Sequence, residues 1–222
     1  MEVNLLRRGV KKMEVWYVSY GSNICEDRFL CYINGSTPRG ADKKERGCTD
    51  KTPPRRNAMV ELPYPLYFAK EQSKWGKGGV AFMGHDFMET ARTIGRKYLI
   101  TREQFSEVVA QENKQPGLEI DFKTIKKKGA VTITDGWYGT IFYLGDEDGF
   151  PMFTFTANFP VDAAIFTKPS AAYLATVAEG LGEIGLKKNE IIDYFLEKRG
   201  VKEHFTADSL AEYIFHKQEN IF

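Results

Sequence analysis

Two groups of residues have the types and spacing to do chemistry. The first is Tyr20-Gly21-Ser22-Asn23, which follows an aromatic, β-branched run from Val15 and precedes a helical stripe of Cys25, Phe29 and Ile33. A strand that breaks at glycine and feeds a helix leaves unpaired N–H groups and the positive end of the helix dipole at the break. Gly21 has no Cβ, so a ligand can approach the main chain there. Such a turn suits a carboxylate or a phosphate. It is not a Walker-type phosphate loop, because the glycine-lysine-serine/threonine ending is missing. The competing reading is an ordinary strand-to-helix turn in which Asn23 caps the helix and Glu26, three residues on, completes a capping box.

The second is Glu112. On a helix expected over Thr101 to Gln111, with Thr101 and Gln104 as its capping box, Phe105, Val108 and Val109 precede Glu112 at same-face intervals. The spacing therefore puts this glutamate on the apolar stripe. A carboxyl group that loses water holds its proton more tightly and can both take and return one near neutral pH, as a general acid/base must. The alternative is a helix that frays near Gln111 and leaves Glu112 in water.

Other reactive side chains are less organised. Cys25 stands near a helix start, where a dipole favours the thiolate. It would need a base from His85, His204 or His216, and none lies in a nucleophile motif. No spacing among histidines and cysteines suits a metal. Lys123 and Lys126 to Lys128 form a basic cluster that reads as a solvated turn, so no nucleic-acid partner is expected. Trp75-Gly76-Lys77-Gly78-Gly79 is either a ligand-facing loop or a turn before a strand.

The elements that must position these groups follow from periodicity. Strands are expected at Val15 to Tyr20, at Ala58 to Ala69 with Pro63 and Pro65 bending it, at Gly79 to Met83 and at Thr90 to Ile100. Ala130 to Thr134 and Trp137 to Leu144 flank Asp135-Gly136, a hairpin signal, and Pro151 to Thr156 is a further strand. The first helix is expected from Ile24 to Ile33. Residues 34–57 are polar, charged and long for a loop, either a solvated insertion or a lid. Three helical patterns close the chain, Pro169 to Glu183, Asn189 to Arg199 and Thr206 to Lys217. Strands first and helices last imply an α+β fold.

Composition bounds the rest. The 222 residues, at about 150 per domain, fit one large domain, read as 13–222 with a helical C-terminal part from about residue 168. Residues 1–12 read as a disordered leader, with Met13 the expected start. Basic residues number 31 against 30 acidic, for a net charge of +1, which offers no field for nucleic acid or an anionic membrane. No apolar run is longer than Ala171 to Ala175, so no membrane-spanning helix is expected. Cys25, Cys31 and Cys48 read as reduced thiols, and a cytoplasmic location is expected. The sequence leaves a homodimer open.

The strand leading into Tyr20-Gly21-Ser22-Asn23 resembles the signature of the γ-glutamylcyclotransferase-like family. Trp75 with Gly78-Gly79-Val80-Ala81, the segment Phe105 to Glu112, and Pro169-Ser170-Ala171-Ala172-Tyr173 resemble further family motifs in the expected order. The resemblance runs from Val15 to about Tyr194. It implies a mixed β-barrel or strongly curved sheet surrounded by helices. It also implies cyclisation of a small γ-glutamyl compound to 5-oxoproline with release of an amine or amino acid, with no cofactor and no metal. By the resemblance Glu112 is the catalytic acid/base, and Tyr20, Gly21, Ser22, Asn23 and Tyr173 bind the substrate. Glutathione, γ-glutamyl amino acids and γ-glutamyl amines are substrates of such proteins; a non-catalytic ligand- or partner-binding protein of the same fold is the alternative. Asn113 departs from the glycine that often follows the glutamate, and residues 34–57 and the tail beyond Lys187 exceed a minimal member.

Overall fold

The computed structural model describes residues 12–215, so the expected leader, apart from Lys12, and the chain beyond Phe215 lie outside the described residues. β1 (Glu14–Ser19) is buried along almost its whole length. That is why its sequence is an unbroken aromatic and β-branched run and not an alternating one. A single 3₁₀ turn, Ser22–Ile24, leads into α1 (Glu26–Asn34). There follow β2 (Arg56–Leu62), β3 (Leu66–Ala69), a short hairpin of β4 (Gln72–Ser73) and β5 (Gly76–Lys77), β6 (Val80–Met83) and β7 (Thr93–Thr101). α2 (Arg102–Glu112), α3 (Phe122–Lys128), β8 (Ala130–Thr132), β9 (Thr140–Glu147) and β10 (Phe150–Thr156) come next. The helices α4 (Ala171–Glu183), α5 (Lys188–Leu196) and α6 (Ala207–Phe215) finish the described chain.

The main sheet has the order β2-β7-β1-β10-β9-β8, and β3 pairs with β6 in a separate ribbon. Only β1 with β10 is parallel; the other neighbours are antiparallel. The sheet ends at β2 on one side and β8 on the other. It is open, so of the two forms expected, barrel or curved sheet, the hydrogen bonding does not make the closed one.

Alternate residues of the central strands feed two cores, as a period of two requires. Val15 and Tyr17 of β1, Tyr98 and Ile100 of β7, and Phe153 and Phe155 of β10 meet Phe29 of α1 and Phe105 of α2. Val18 and Tyr20, with Phe68 and Phe82 of the ribbon, meet Tyr173, Leu174 and Phe195 of the C-terminal helices. The turn at residues 20–25 therefore lies where both cores end, in reach of α2 from one and α4 from the other.

Three local expectations change. The strand expected over Ala58 to Ala69 is two strands, because Pro63 and Pro65 interrupt it and β3 pairs elsewhere. The lysine cluster is not a turn but α3, whose start is held by Asp121 accepting from the N–H groups of Lys123 and Thr124, with Phe122 and Ile125 buried. The Asp135-Gly136 signal does not make a two-residue turn, since β8 and β9 pair only as far as Thr132 with Thr140. Asn113 explains the wider loop: its Nδ2 donates to the carbonyls of Val109 and Tyr138, and its Oδ1 accepts from Tyr138 N–H.

Candidate active site

α2 begins with the expected capping box. Thr101 Oγ1 accepts from Gln104 N–H at 3.1 Å and Gln104 Oε1 accepts from Thr101 N–H at 3.0 Å. With its start fixed and Phe105, Val108 and Val109 fully buried, the helix runs through Glu112 without fraying. The Glu112 side chain retains only 13% exposure. Its Oε1 accepts from Asn23 Nδ2 at 3.3 Å, and Lys74 Nζ stands 3.9 Å from Oε2. The carboxylate and the glycine turn, 89 residues apart in sequence, are in direct contact.

Asn23 is consequently not the helix cap. Its amide turns inward, and Nδ2 also donates to the Tyr17 hydroxyl at 3.2 Å. α1 starts two residues later than expected, at Glu26, with Cys25 at the capping position making no side-chain bond. The capping work falls to a distant residue, because Glu183 Oε2 of α4 accepts from Glu26 N–H at 3.0 Å. Asn23 is 4% exposed and its Oδ1 is buried with no partner. Buried acceptors left open are rare, so this one asks for a donor.

The other residues of the turn divide between lining and support. The N–H groups of Ile24 and Cys25 close the 3₁₀ turn on Gly21 and Ser22, while those of Gly21 and Asn23 find no acceptor among the described residues. Tyr173 sits in the first turn of α4, placed by Ser170, whose Oγ accepts from Tyr173 N–H at 3.3 Å. Its hydroxyl accepts from Ala81 N–H at 3.0 Å and lies near the Ser22 main chain. A Cβ on Gly21 would lie 2.9 Å from that hydroxyl, which is the close approach that requires glycine. Tyr20 points away: its hydroxyl donates to the Phe155 carbonyl at 2.7 Å inside the core, so it holds the turn in place.

Charge around Glu112 comes from residues that periodicity did not reveal. Arg28 is 5% exposed, and its Nη2 donates to the Tyr32 hydroxyl at 3.0 Å and to Glu45 Oε1 at 2.7 Å. Lys74, at the tip of the β4–β5 hairpin, also donates to Tyr32 and, at 3.2 Å, to Glu45. Burial works against the Glu45 carboxylate, but Lys74 and Arg28 hold it below its usual range. Burial, reinforced by Glu112, pushes the hydroxyls of Tyr32 and Tyr173 upward, and Tyr17 is raised mainly by burial. These phenols stay protonated at neutral pH. Trp75 closes the group, its ring 5.3 Å from that of Tyr173 and 5.9 Å from the Arg28 guanidinium. A cavity of about 420 Å³ adjoins it, lined among others by Cys25, Arg28, Arg39, Trp75 and Glu179.

Residues 34–57 are neither a free insertion nor a simple lid. Glu45 reaches the site, Gly47 N–H donates to Gln111 Oε1 at 2.9 Å, and Cys48 is buried against Tyr32 and Gln104. The stretch straps α1 to α2.

Cys25 lacks what a nucleophile needs. Burial pushes its thiol up to about 11, and no histidine bonds to it among the described residues; His85 Nε2 is engaged with the Ala157 carbonyl at 2.7 Å. Among the described residues one group, Cys25 with Glu179 and Glu183, has the spacing of metal ligands. Its carboxylates are already neutralised, Glu183 by Arg96 at 2.5 Å and Glu179 by Arg39. The Cys48 thiol is likewise raised to about 12, mainly by burial. Native protein at pH 8 should therefore leave Cys25 and Cys48 largely unalkylated by iodoacetamide while the denatured chain reacts at every thiol, as peptide mass spectrometry will report. Rapid native labelling at Cys25 would reinstate a thiol mechanism.

Comparison with known proteins bears on the fold. No family model matches the chain. Histone deacetylase 5 of Arabidopsis thaliana is 34% identical over 211 residues, covering 86% of this chain and 32% of that protein, so the chain spans about a third of the relative's length. A solved human structure described as an uncharacterized protein superposes with a TM-score of 0.50 at 14% identity, covering 90% of this chain and 99% of that one. A structure described as a gamma-glutamyl cyclotransferase gives a TM-score of 0.48 at 15% identity, covering 81% of this chain and 85% of that one. The chain shares the fold of that human structure. A yeast cyclotransferase described as specific to glutathione is more distant, with a TM-score of 0.38 at 13% identity, covering 92% of this chain and 98% of that one. No helix among the described residues is long and apolar enough to cross a membrane.

Proposed function

We propose that this chain cyclises the γ-glutamyl group of a small γ-glutamyl compound to 5-oxoproline, releasing an amine or amino acid. The contact between Glu112 and Asn23 carries the reading, because it sets a water-poor carboxylate against the turn that would hold the substrate. The substrate's α-ammonium gives a proton to Glu112, and the freed nitrogen attacks the γ-carbonyl carbon to form the ring's C–N bond. The resulting oxyanion collapses and the bond to the departing nitrogen breaks. Both protons lost by the ammonium end on the released amine, passed in turn through Glu112. The substrate carries its own nucleophile, so no cofactor or metal has a step to perform. Folding the glutamyl chain back on itself supplies proximity that can be worth several kcal/mol.

Gly21, Ser22 and Asn23 line the substrate side of the turn on this proposal, with Tyr173 fixing it and Tyr20 behind it. The deacetylase in the plant relative's name belongs to a protein of which this chain covers 32%. The shared stretch would be a cyclising unit within it. Incubation with γ-glutamyl amino acids, γ-glutamyl amines and glutathione, with mass-spectrometric detection of 5-oxoproline, tests the proposal. Release from at least one class is expected. Binding of these compounds without release would make the chain a ligand-binding protein of this fold.

A further inference from the structure

Two buried polar atoms beside Glu112 have no partner: Asn23 Oδ1, an acceptor, and Arg28 Nη1, a donor. Both residues are more than nine-tenths buried. Unmet groups of this kind are rare in native proteins, and a pair of opposite character at one site is what a zwitterion would satisfy. The α-ammonium and α-carboxylate of an amino acid project from a single carbon atom. Both residues border Glu112: the Asn23 amide donates to it at 3.3 Å, and Arg28 bonds to the Tyr32 hydroxyl, which feels the Glu112 charge as Arg28 itself does. Arg28 is held by Tyr32 and Glu45 through Nη2 alone, which fixes the guanidinium and leaves Nη1 open. Glu45 is in turn shared with Lys74, so it does not fully neutralise Arg28.

We propose that Arg28 is a specificity-determining residue: its Nη1 binds the α-carboxylate of the substrate's glutamyl head, and Asn23 Oδ1 accepts from the α-ammonium. The assignment rests on the cyclisation reading for its role in turnover, but recognition of the head group stands apart from chemistry. Main-chain donors of the turn are then free to polarise the γ-carbonyl. It also accounts for product release. Ring closure converts the ammonium into a lactam N–H with one proton, and the charge that Asn23 Oδ1 had engaged is gone. The substrate class that follows is γ-glutamyl compounds whose α-carboxylate is unmodified.

Calorimetry with L-glutamine and L-isoglutamine separates this from the alternatives. Both carry the α-ammonium, and only glutamine keeps the α-carboxylate. Native protein is expected to bind glutamine at least about 10-fold more tightly, the discrimination a charge-assisted hydrogen bond gives. In Arg28→Met the ratio should collapse toward one, and Arg28→Lys should restore part of it. Equal affinities on native protein, or no binding of either ligand, would overturn the assignment whether or not the variants fold. A preserved ratio in folded Arg28→Met would do the same. If glutamine is preferred yet no γ-glutamyl compound yields 5-oxoproline, the head-group assignment holds and the cyclisation reading fails.

Discussion

Glu112→Gln is expected to reduce 5-oxoproline release by about 10²–10⁴-fold, the contribution of a positioned general acid/base. Binding should change little. Glutamine keeps the length and volume of the side chain, and its carbonyl oxygen can still accept from Asn23 Nδ2, which stands 3.3 Å from Oε1. What it cannot do is take a proton from the substrate's ammonium and return it to the departing nitrogen. The ion pair lost with Lys74 spans 3.9 Å, and that lysine is 49% exposed, so it contributes little to stability. A melting temperature close to that of the native protein, together with normal glutamine affinity, would isolate the defect to proton transfer. Near-native turnover would move the acid/base elsewhere, and Glu45 would then be the carboxylate to examine, since Arg28 and Lys74 bind it a few ångströms away.

The reach of the sequence into this site depends on whether a local interaction decides the structure. Glu112 was legible because its helix has a period, a capping box and three buried residues on the same face, and all of these act within a few turns. Asn23 was legible as a special position but not in its role. A cap and an inward amide look identical in sequence, and the choice is made by Tyr17 and Glu112, the latter 89 residues away. Arg28, Glu45 and Lys74 left no signal at all. They lie in charged stretches whose ordinary expectation is solvation, and only the folding of residues 34–57 and the β4–β5 hairpin onto α1 brings them together. The open sheet shows the same limit. Strand positions follow from composition, whereas closure depends on whether β2 and β8 meet, which no single strand's pattern encodes.

Gly180→Ala should be strongly destabilising, and Gly182→Ala on the same helix should do the opposite. Both replace glycine within α4, where alanine favours the helix by up to about 1 kcal/mol. At Gly182 nothing lies within 4 Å of the added carbon, so that gain is realised. At Gly180 the added carbon would fall 2.2 Å from Cys25 N and 2.4 Å from Ile24 C, main-chain atoms with no rotamer to relieve the overlap. α4 would have to withdraw from the turn, and overpacking of this kind typically costs about 1–3 kcal/mol and sometimes more. For a domain of this size each kcal/mol shifts the melting temperature by about 2–4 °C. Withdrawal would also disturb Glu183, which caps α1 and pairs with Arg96, and Tyr173, which sets the height of the Gly21 main chain. Gly180→Ala is therefore expected to weaken glutamine binding even in the fraction that folds, while Gly182→Ala leaves binding unchanged. Equal melting temperatures for the two variants would mean that α4 does not bear on the turn as closely as the backbone contacts require.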